Sequence, residues 1–374
     1  MIKRTISDTF SSHFFKGKAL ILLGPRQVGK TTLIKQVLKG RDFLFLDGDD
    51  SSVRNILAQA GTFEIKQIIG QHKIVYIDEA QRIPGIGLTL KIITDQFTNV
   101  QLVVSGSSSF EITDLTSEPL TGRKLEYRLY PISWEEFENH VGYLKAEQQM
   151  NHRVVYGMYP DVLNQNGEDE RMVLQQLAQS YLYKDVLSLT GIRKPELLEK
   201  LLRALALQVG SEVSYNELAG LLGADKNTLI KYIHVLEKSF IIFQLNSYSG
   251  NLRNEIKSNR KIYFYDNGIR NVIINNLNPL ELRTDKGALW ENFLIAERIK
   301  ANSYHQTYTN HFFWRNTQKQ EIDFVEEKNG QIHAFEFKWK SGGRNKIPTT
   351  FLNEYNAIGK TIDRDNFREF IKLP

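Results

Sequence analysis

Cysteine is absent from all 374 residues, which excludes disulfides and thiolate metal sites and fits a reducing compartment. Long apolar runs are missing too. The longest early one, Ala19–Leu23, is far too short to span a bilayer. Behind Met1-Ile2-Lys3-Arg4-Thr5 there is no apolar stretch of signal-peptide length, so a cytoplasmic protein with no membrane partner is expected. Internal repeats and low-complexity linkers are also lacking, which argues for domains joined tightly. Neither sign of charge dominates: a net +5 is too mild by itself to imply a nucleic-acid partner. A composition of 41% hydrophobic and 24% charged residues is that of a globular protein, and the length exceeds what one core holds. Two to four domains are expected.

Up to about residue 135, short apolar runs alternate with helical patterns. Ala19–Leu23, Phe43–Leu46, Ile74–Ile77 and Val100–Val104 read as buried strands, each followed by enough chain for a crossover helix. This spacing predicts a parallel sheet with helices on both faces. Lys124–Tyr130 reads as a further strand, and from Trp134 to about Leu189 the pattern is helical.

Gly24-Pro25-Arg26-Gln27-Val28-Gly29-Lys30-Thr31-Thr32 follows the first strand and opens a helix, the setting in which G-x-x-x-x-G-K-[ST] is a phosphate loop. Gly24 and Gly29 let the backbone curl so that N–H groups, including those of Gln27 and Val28, point inward at phosphate oxygens. The helix N-terminus adds its positive dipole end. Lys30 is expected to reach the β- and γ-phosphates of ATP or ADP, with Thr31 ligating Mg²⁺ and Thr32 beside it. Ile74-Val75-Tyr76-Ile77-Asp78-Glu79 buries a strand and delivers two carboxylates at its end. Asp78 is expected on Mg²⁺, and Glu79 is expected to orient and deprotonate the attacking water. The next strand ends in Ser105-Gly106-Ser107, where Ser105, or else Ser107, can touch the γ-phosphate or the water. Arg123, just before the last strand, can reach a neighbouring subunit's γ-phosphate, which would require a homo-oligomer.

Further along, residues 191–265 hold eleven Lys and Arg against seven Asp and Glu. A helix opening at Pro195, a Ser214…Glu217 capping box, a helix capped by Asp225 and a hairpin of Phe240–Tyr248 with Lys261–Phe264 make the winged-helix plan. Lys226, Asn227 and Lys231 would face outward toward a DNA groove, and Arg253, Lys257, Arg260 and Lys261 would populate the wing. A spacer between proteins is the competing use of such a unit. The last segment predicts a helix (Gly287–Ala301), three strands (Phe312–Arg315, Glu321–Glu326, Gln331–Lys338) and a polar, basic tail. Strand period puts Glu336 and Lys338 on one face, and an adjacent strand can set Asp323 beside Glu336, with Glu291 on the preceding helix. Two carboxylates there could hold Mg²⁺ while Lys338 positions water, as in PD-(D/E)xK nucleases.

Gly24–Thr32, Asp78-Glu79-Ala80-Gln81, Ser105-Gly106-Ser107-Ser108 and Leu120-Thr121-Gly122-Arg123 together resemble the bacterial and archaeal AAA+ ATPases that carry a C-terminal domain of unknown function. The resemblance continues through Gly157-Met158-Tyr159-Pro160, where the family usually has Gly-Gly before the aromatic-Pro pair, and through Ser180–Val186. It implies an α/β chain: a P-loop parallel-sheet ATPase domain (1–135), a helical lid (136–190), a winged-helix domain (191–275) and a mixed α/β nuclease-like domain (276–374). The resemblance adds architecture more than biology; the function expected from the residues themselves is Mg²⁺-dependent ATP hydrolysis coupled to DNA binding. The alternatives are an ATP-dependent nuclease and a nucleotide-switched binding protein whose last domain is silent.

Overall fold

A computed structural model describes residues 2–107, 120–179, 186, 192, 194–249, 260–342 and 347–373. The chain divides into two compact units, Met1–Tyr130 with Lys238–Phe240, and Pro131–Glu237 with Ile241–Pro374.

In the first unit five strands form one parallel sheet: β1 (Ala19–Leu23), β2 (Leu44–Asp47), β3 (Ile74–Asp78), β4 (Gln101–Gly106) and β5 (Lys124–Arg128). Their order is β2-β3-β4-β1-β5. β1, β3 and β4 are buried at every position because their residues are apolar on both faces, and the edge strands β2 and β5 are not. β4 therefore lies between the strand that ends at the phosphate loop and the strand that ends at Asp78, so all three termini open at one rim.

The second unit begins with helices Trp134–Val141, Tyr143–Tyr156, Pro160–Leu163 and Glu168–Gln179. Ser133 and Glu136 close a reciprocal cap at the start of the first of these. Helices Pro195–Leu207, Tyr215–Leu222 and Lys226–Lys238 follow, the last capped by Asp225, whose carboxylate accepts from the Thr228 amide at 2.9 Å. Then β7 (Ile242–Ser247) and β8 (Arg260–Phe264) pair antiparallel, with the two-residue β6 (Glu212–Val213) on the far side of β8. β9 (Asn310–Arg315), β10 (Glu321–Lys328) and β11 (Gln331–Phe337) make a meander, and Asn329-Gly330 turns β10 into β11 with both residues at positive φ.

Two features differ from expectation. First, β7 pairs parallel with β9 through Asn246↔Phe312 and Ser247↔Phe313, so one seven-stranded sheet, β12-β11-β10-β9-β7-β8-β6, runs through both downstream segments. Second, the expected tail is structured. Helix Thr349–Glu354, β12 (Ile358–Ile362, parallel to β11) and helix Phe367–Ile371 complete the unit, and Ile347 and Phe351 join the core of Trp314, Ile322, Val325 and Ala334. β12 is an edge strand with one fully buried residue, Ile362, so its sequence carries almost no apolar alternation to read. Among the described residues no helix is long and apolar enough to cross a membrane.

His311 on β9 stacks on Phe324, and its Nε2 lies 2.8 Å from Thr309 Oγ1 and 3.7 Å from Glu326. Burial pushes its pKa down to about 4; the Glu326 carboxylate opposes this and Arg298 reinforces it. The folded pKa lies below the unfolded one, so this stabilisation is complete above pH 6.5 and drains as pH falls toward 4. Denaturant titrations of wild type and His311→Gln should show the difference in unfolding free energy moving against wild type by about 2 kcal/mol between pH 7.5 and 4.5. A pH-independent difference would mean that folding leaves the ring's pKa unchanged.

Candidate nucleotide site and C-terminal carboxylate cluster

β1 hands the chain to Gly24 at a point where a Cβ would overlap the Leu129 carbonyl oxygen, so only glycine fits. Gln27 and Gly29 sit at φ 62° and 92°, the left-handed turns that curl the loop. Helix Lys30–Val37 starts at once and carries no acidic residue in its first turn, so its N–H groups and dipole stay open to an anion. Lys30 is buried, and its ammonium donates to the carbonyls of Gly24 and Pro25, both at 2.9 Å. Val28 is buried, whereas Thr32 is exposed on the first helical turn. Behind the loop Arg4 donates to the Val28 carbonyl at 2.8 Å and to the Tyr130 carbonyl at 2.6 Å. Nothing in local spacing marks Arg4, because its partners lie far along the chain.

Two hydroxyls converge on Asp78. Thr31 Oγ1 donates to Oδ2 at 2.7 Å, and Ser105 Oγ donates to Oδ1. Tyr76, two residues before Asp78 and so on the same strand face, has its hydroxyl 3.0 Å from Ser105 Oγ. Burial, with the Asp78 charge beside it, holds the Tyr76 phenol far above its ordinary pKa, so it stays a donor. The result is a directed chain, Tyr76 to Ser105 to Asp78, that fixes Oδ1, while Thr31 fixes Oδ2. Glu79 follows at φ 45°, a left-handed residue at which the chain leaves the strand. Gln81 Nε2 donates to Glu79 Oε2 at 2.5 Å and reaches Ser107 Oγ at 2.9 Å. The sequence pattern assigned no role to Tyr76 or to Gln81.

Arg123 lies elsewhere. It precedes Lys124, which pairs with Ala19 at the start of β1, and its guanidinium is ion-paired with Asp95. The length of β1, about 16 Å, separates it from its own phosphate loop.

In the second unit Lys226, Asn227 and Lys231 are exposed on helix Lys226–Lys238. Arg260 is half-buried: it donates to Asn246 at 3.1 Å and Tyr215 at 3.0 Å and packs over the Tyr215 ring. Arg253 and Lys257 lie outside the described residues, as does most of Ser180–Val186. Lys261 is a correction. It is buried, 2% exposed, and does not populate a basic hairpin surface. Strand alternation turns it to the opposite face from Arg260 and the same face as Tyr263, and both reach Glu291. Gly157 touches the Asp266 carboxylate, which accepts from the Met158 amide at 2.7 Å. The Gly-Met-Tyr-Pro stretch therefore packs the interior of this unit.

Glu291, Asp323, Glu336 and Lys338 do come together. Phe324 pairs with Phe335, which brings Asp323 and Glu336 side by side on neighbouring strands. Asp323 accepts from the Phe337 amide at 2.8 Å, and Lys338 is ion-paired with Glu336. Burial, with Glu291 and Glu336 nearby, raises the Asp323 carboxyl well above its ordinary range, and burial raises Glu291 as well. Lys261, Tyr263 and Glu321 complete the cluster. Among the described residues no group of three or more Asp, Glu, His or Cys is spaced to hold a metal ion.

A parallel sheet, a phosphate loop at the first strand end and hydroxyls gathered on Asp78 make the N-terminal unit an AAA-type, P-loop ATPase-like domain. Residues 16–138 match the family described as an AAA domain. Residues 147–280 and 286–367 match two domains of unknown function, DUF8612 and DUF4143. An uncharacterized protein of Mycobacterium tuberculosis is 27% identical over 86% of this chain and 70% of its own length. One from Methanocaldococcus jannaschii is 22% identical over 99% of this chain and 82% of its own. The fold is similar to that of a Walker-type ATPase of Pyrococcus abyssi (TM-score 0.50, 16% identity, 73% of this chain and 96% of that one).

Proposed function

We propose that the protein binds ATP with Mg²⁺ and hydrolyses it, and that turnover is coupled to DNA. The observation that carries the first part is the convergence of Thr31 and Ser105 on Asp78 at the mouth of the phosphate loop, with Glu79 one residue further on. Lys30 exchanges the carbonyls of Gly24 and Pro25 for β- and γ-phosphate oxygens, and the loop amides hold the remaining phosphate charge. Thr31 and Asp78 are the groups that would hold Mg²⁺, which neutralises phosphate charge when bound. Glu79, released from Gln81, orients the attacking water and takes its proton. Ser105, or Ser107, contacts the γ-phosphate or that water. Arg123 serves a neighbouring subunit's site, which makes the working form a homo-oligomer.

The DNA part rests on the three-helix-plus-hairpin order, which suits a winged helix, and on the exposed Lys226, Asn227 and Lys231. ATP turnover measured with and without duplex DNA tests it. Stimulation is expected, falling with salt and reduced in Lys226→Ala/Lys231→Ala. Turnover indifferent to DNA, with no salt-dependent binding, would leave a protein partner for that surface. For the C-terminal segment, the order helix, three strands, helix, strand suits a nuclease-like fold. Lys261 favours the reading in which that domain is catalytically silent.

A further inference from the structure

Four carboxylates crowd the C-terminal cluster, and in a nuclease-like fold their charge would be met by a divalent ion. Here a lysine stands among them. Lys261 Nζ lies 2.5 Å from Glu321 and 3.3 Å from Glu291, and Asp323 is near enough to contribute to holding the ammonium charged against its burial. Each of the other carboxylates has one oxygen engaged as well: Glu336 by Lys338, Asp323 by the Phe337 amide, and Glu291 by the Tyr263 hydroxyl, at 2.6 Å, on the same oxygen that Lys261 reaches.

We infer that the Lys261 ammonium is the resident cation of this pocket, so that the pocket binds no divalent ion and the C-terminal domain does not cut nucleic acid by metal-assisted hydrolysis. Lys261 is delivered from outside the helix–strand segment that carries the carboxylates, by β8. That strand is held on both sides, with Lys261 opposite Leu245 of β7 and Glu212 of β6. Its ammonium sits over the Phe313 ring, with Nζ 5.5 Å from the ring centre. The two pairings fix the backbone of Lys261, and turning its side chain out would leave buried carboxylates without a counter-charge. A divalent ion would have to displace it, and would also have to part Lys338 from Glu336. The seat is filled by a side chain rooted in a strand that is paired on both sides.

This inference rests on the silent-domain reading above and is independent of the ATPase reading, so its test uses nucleotide-free protein carrying Asp78→Asn to remove the metal ligand of the ATP site. Mn²⁺ binding to this full-length protein is followed by electron paramagnetic resonance of the free ion. With Lys261 intact, no site that depends on Asp323 is expected up to about 1 mM Mn²⁺. Lys261→Met should gain one such site, tighter by at least about tenfold and lost again in Asp323→Asn. Mn²⁺ bound by the Lys261-containing protein and released by Asp323→Asn overturns the inference, and that arm does not require Lys261→Met to fold. A folded Lys261→Met protein that gains no site overturns it too.

Discussion

Glu79→Gln should keep ATP bound while slowing its hydrolysis by about 10²–10⁴-fold, the usual worth of a positioned general base. Glutamine keeps the size and hydrogen-bonding reach of the side chain but cannot take a proton. The substitution spares everything that holds nucleotide. Thr31 and Ser105 still donate to Asp78, and Lys30 still faces the loop. Gln81 can still donate to the amide oxygen that replaces Glu79 Oε2, so the local turn at φ 45° keeps its support. Binding of a fluorescent ATP analogue and steady-state phosphate release should therefore separate. Loss of both together would give Glu79 a structural role.

Lys30→Ala should instead remove binding. Lys30 is 5% exposed, and its ammonium already donates to two carbonyls of the loop. Removing it leaves those carbonyls short of a donor and strips a full positive charge from the phosphate seat. Charge-assisted hydrogen bonds of this kind contribute about 1.5–3 kcal/mol each, so a fall in affinity of roughly 100-fold or more is expected. Calorimetric titration with ATP and ADP reads it directly. An unchanged affinity for both nucleotides would show that Lys30 belongs to the loop's own folding.

These two residues were legible in sequence because their chemistry is local. Gly24, Gly29, Lys30 and Thr31 lie within one loop, and each answers a backbone or charge requirement that few other residues meet. The parallel sheet was legible for a similar reason: β1, β3 and β4 are apolar on both faces, so their runs stand out. Residues that act across the fold were not. Arg4 ties the phosphate loop to the end of the first unit, through partners 24 and 126 residues along the chain. Tyr76 matters only once β4 is known to bring Ser105 beside it.

Downstream the same limit applies. Each strand of the C-terminal meander could be read singly, but the β7–β9 pairing that joins it to the preceding hairpin rests on two residue pairs. β12 lacks alternation because it is an exposed edge. Lys261 shows how composition can mislead. A basic residue in a basic segment reads as surface, yet alternation with Arg260 turns it inward, where three carboxylates make burial tolerable.

The most direct measurement is a single-turnover experiment on ATP pre-bound to wild type and to Glu79→Gln, started by adding Mg²⁺. Wild type should release phosphate while Glu79→Gln holds intact ATP over the same interval. ATP left uncleaved by wild type, or cleaved at equal rates by both proteins, would contradict an ATPase in which Glu79 is the base.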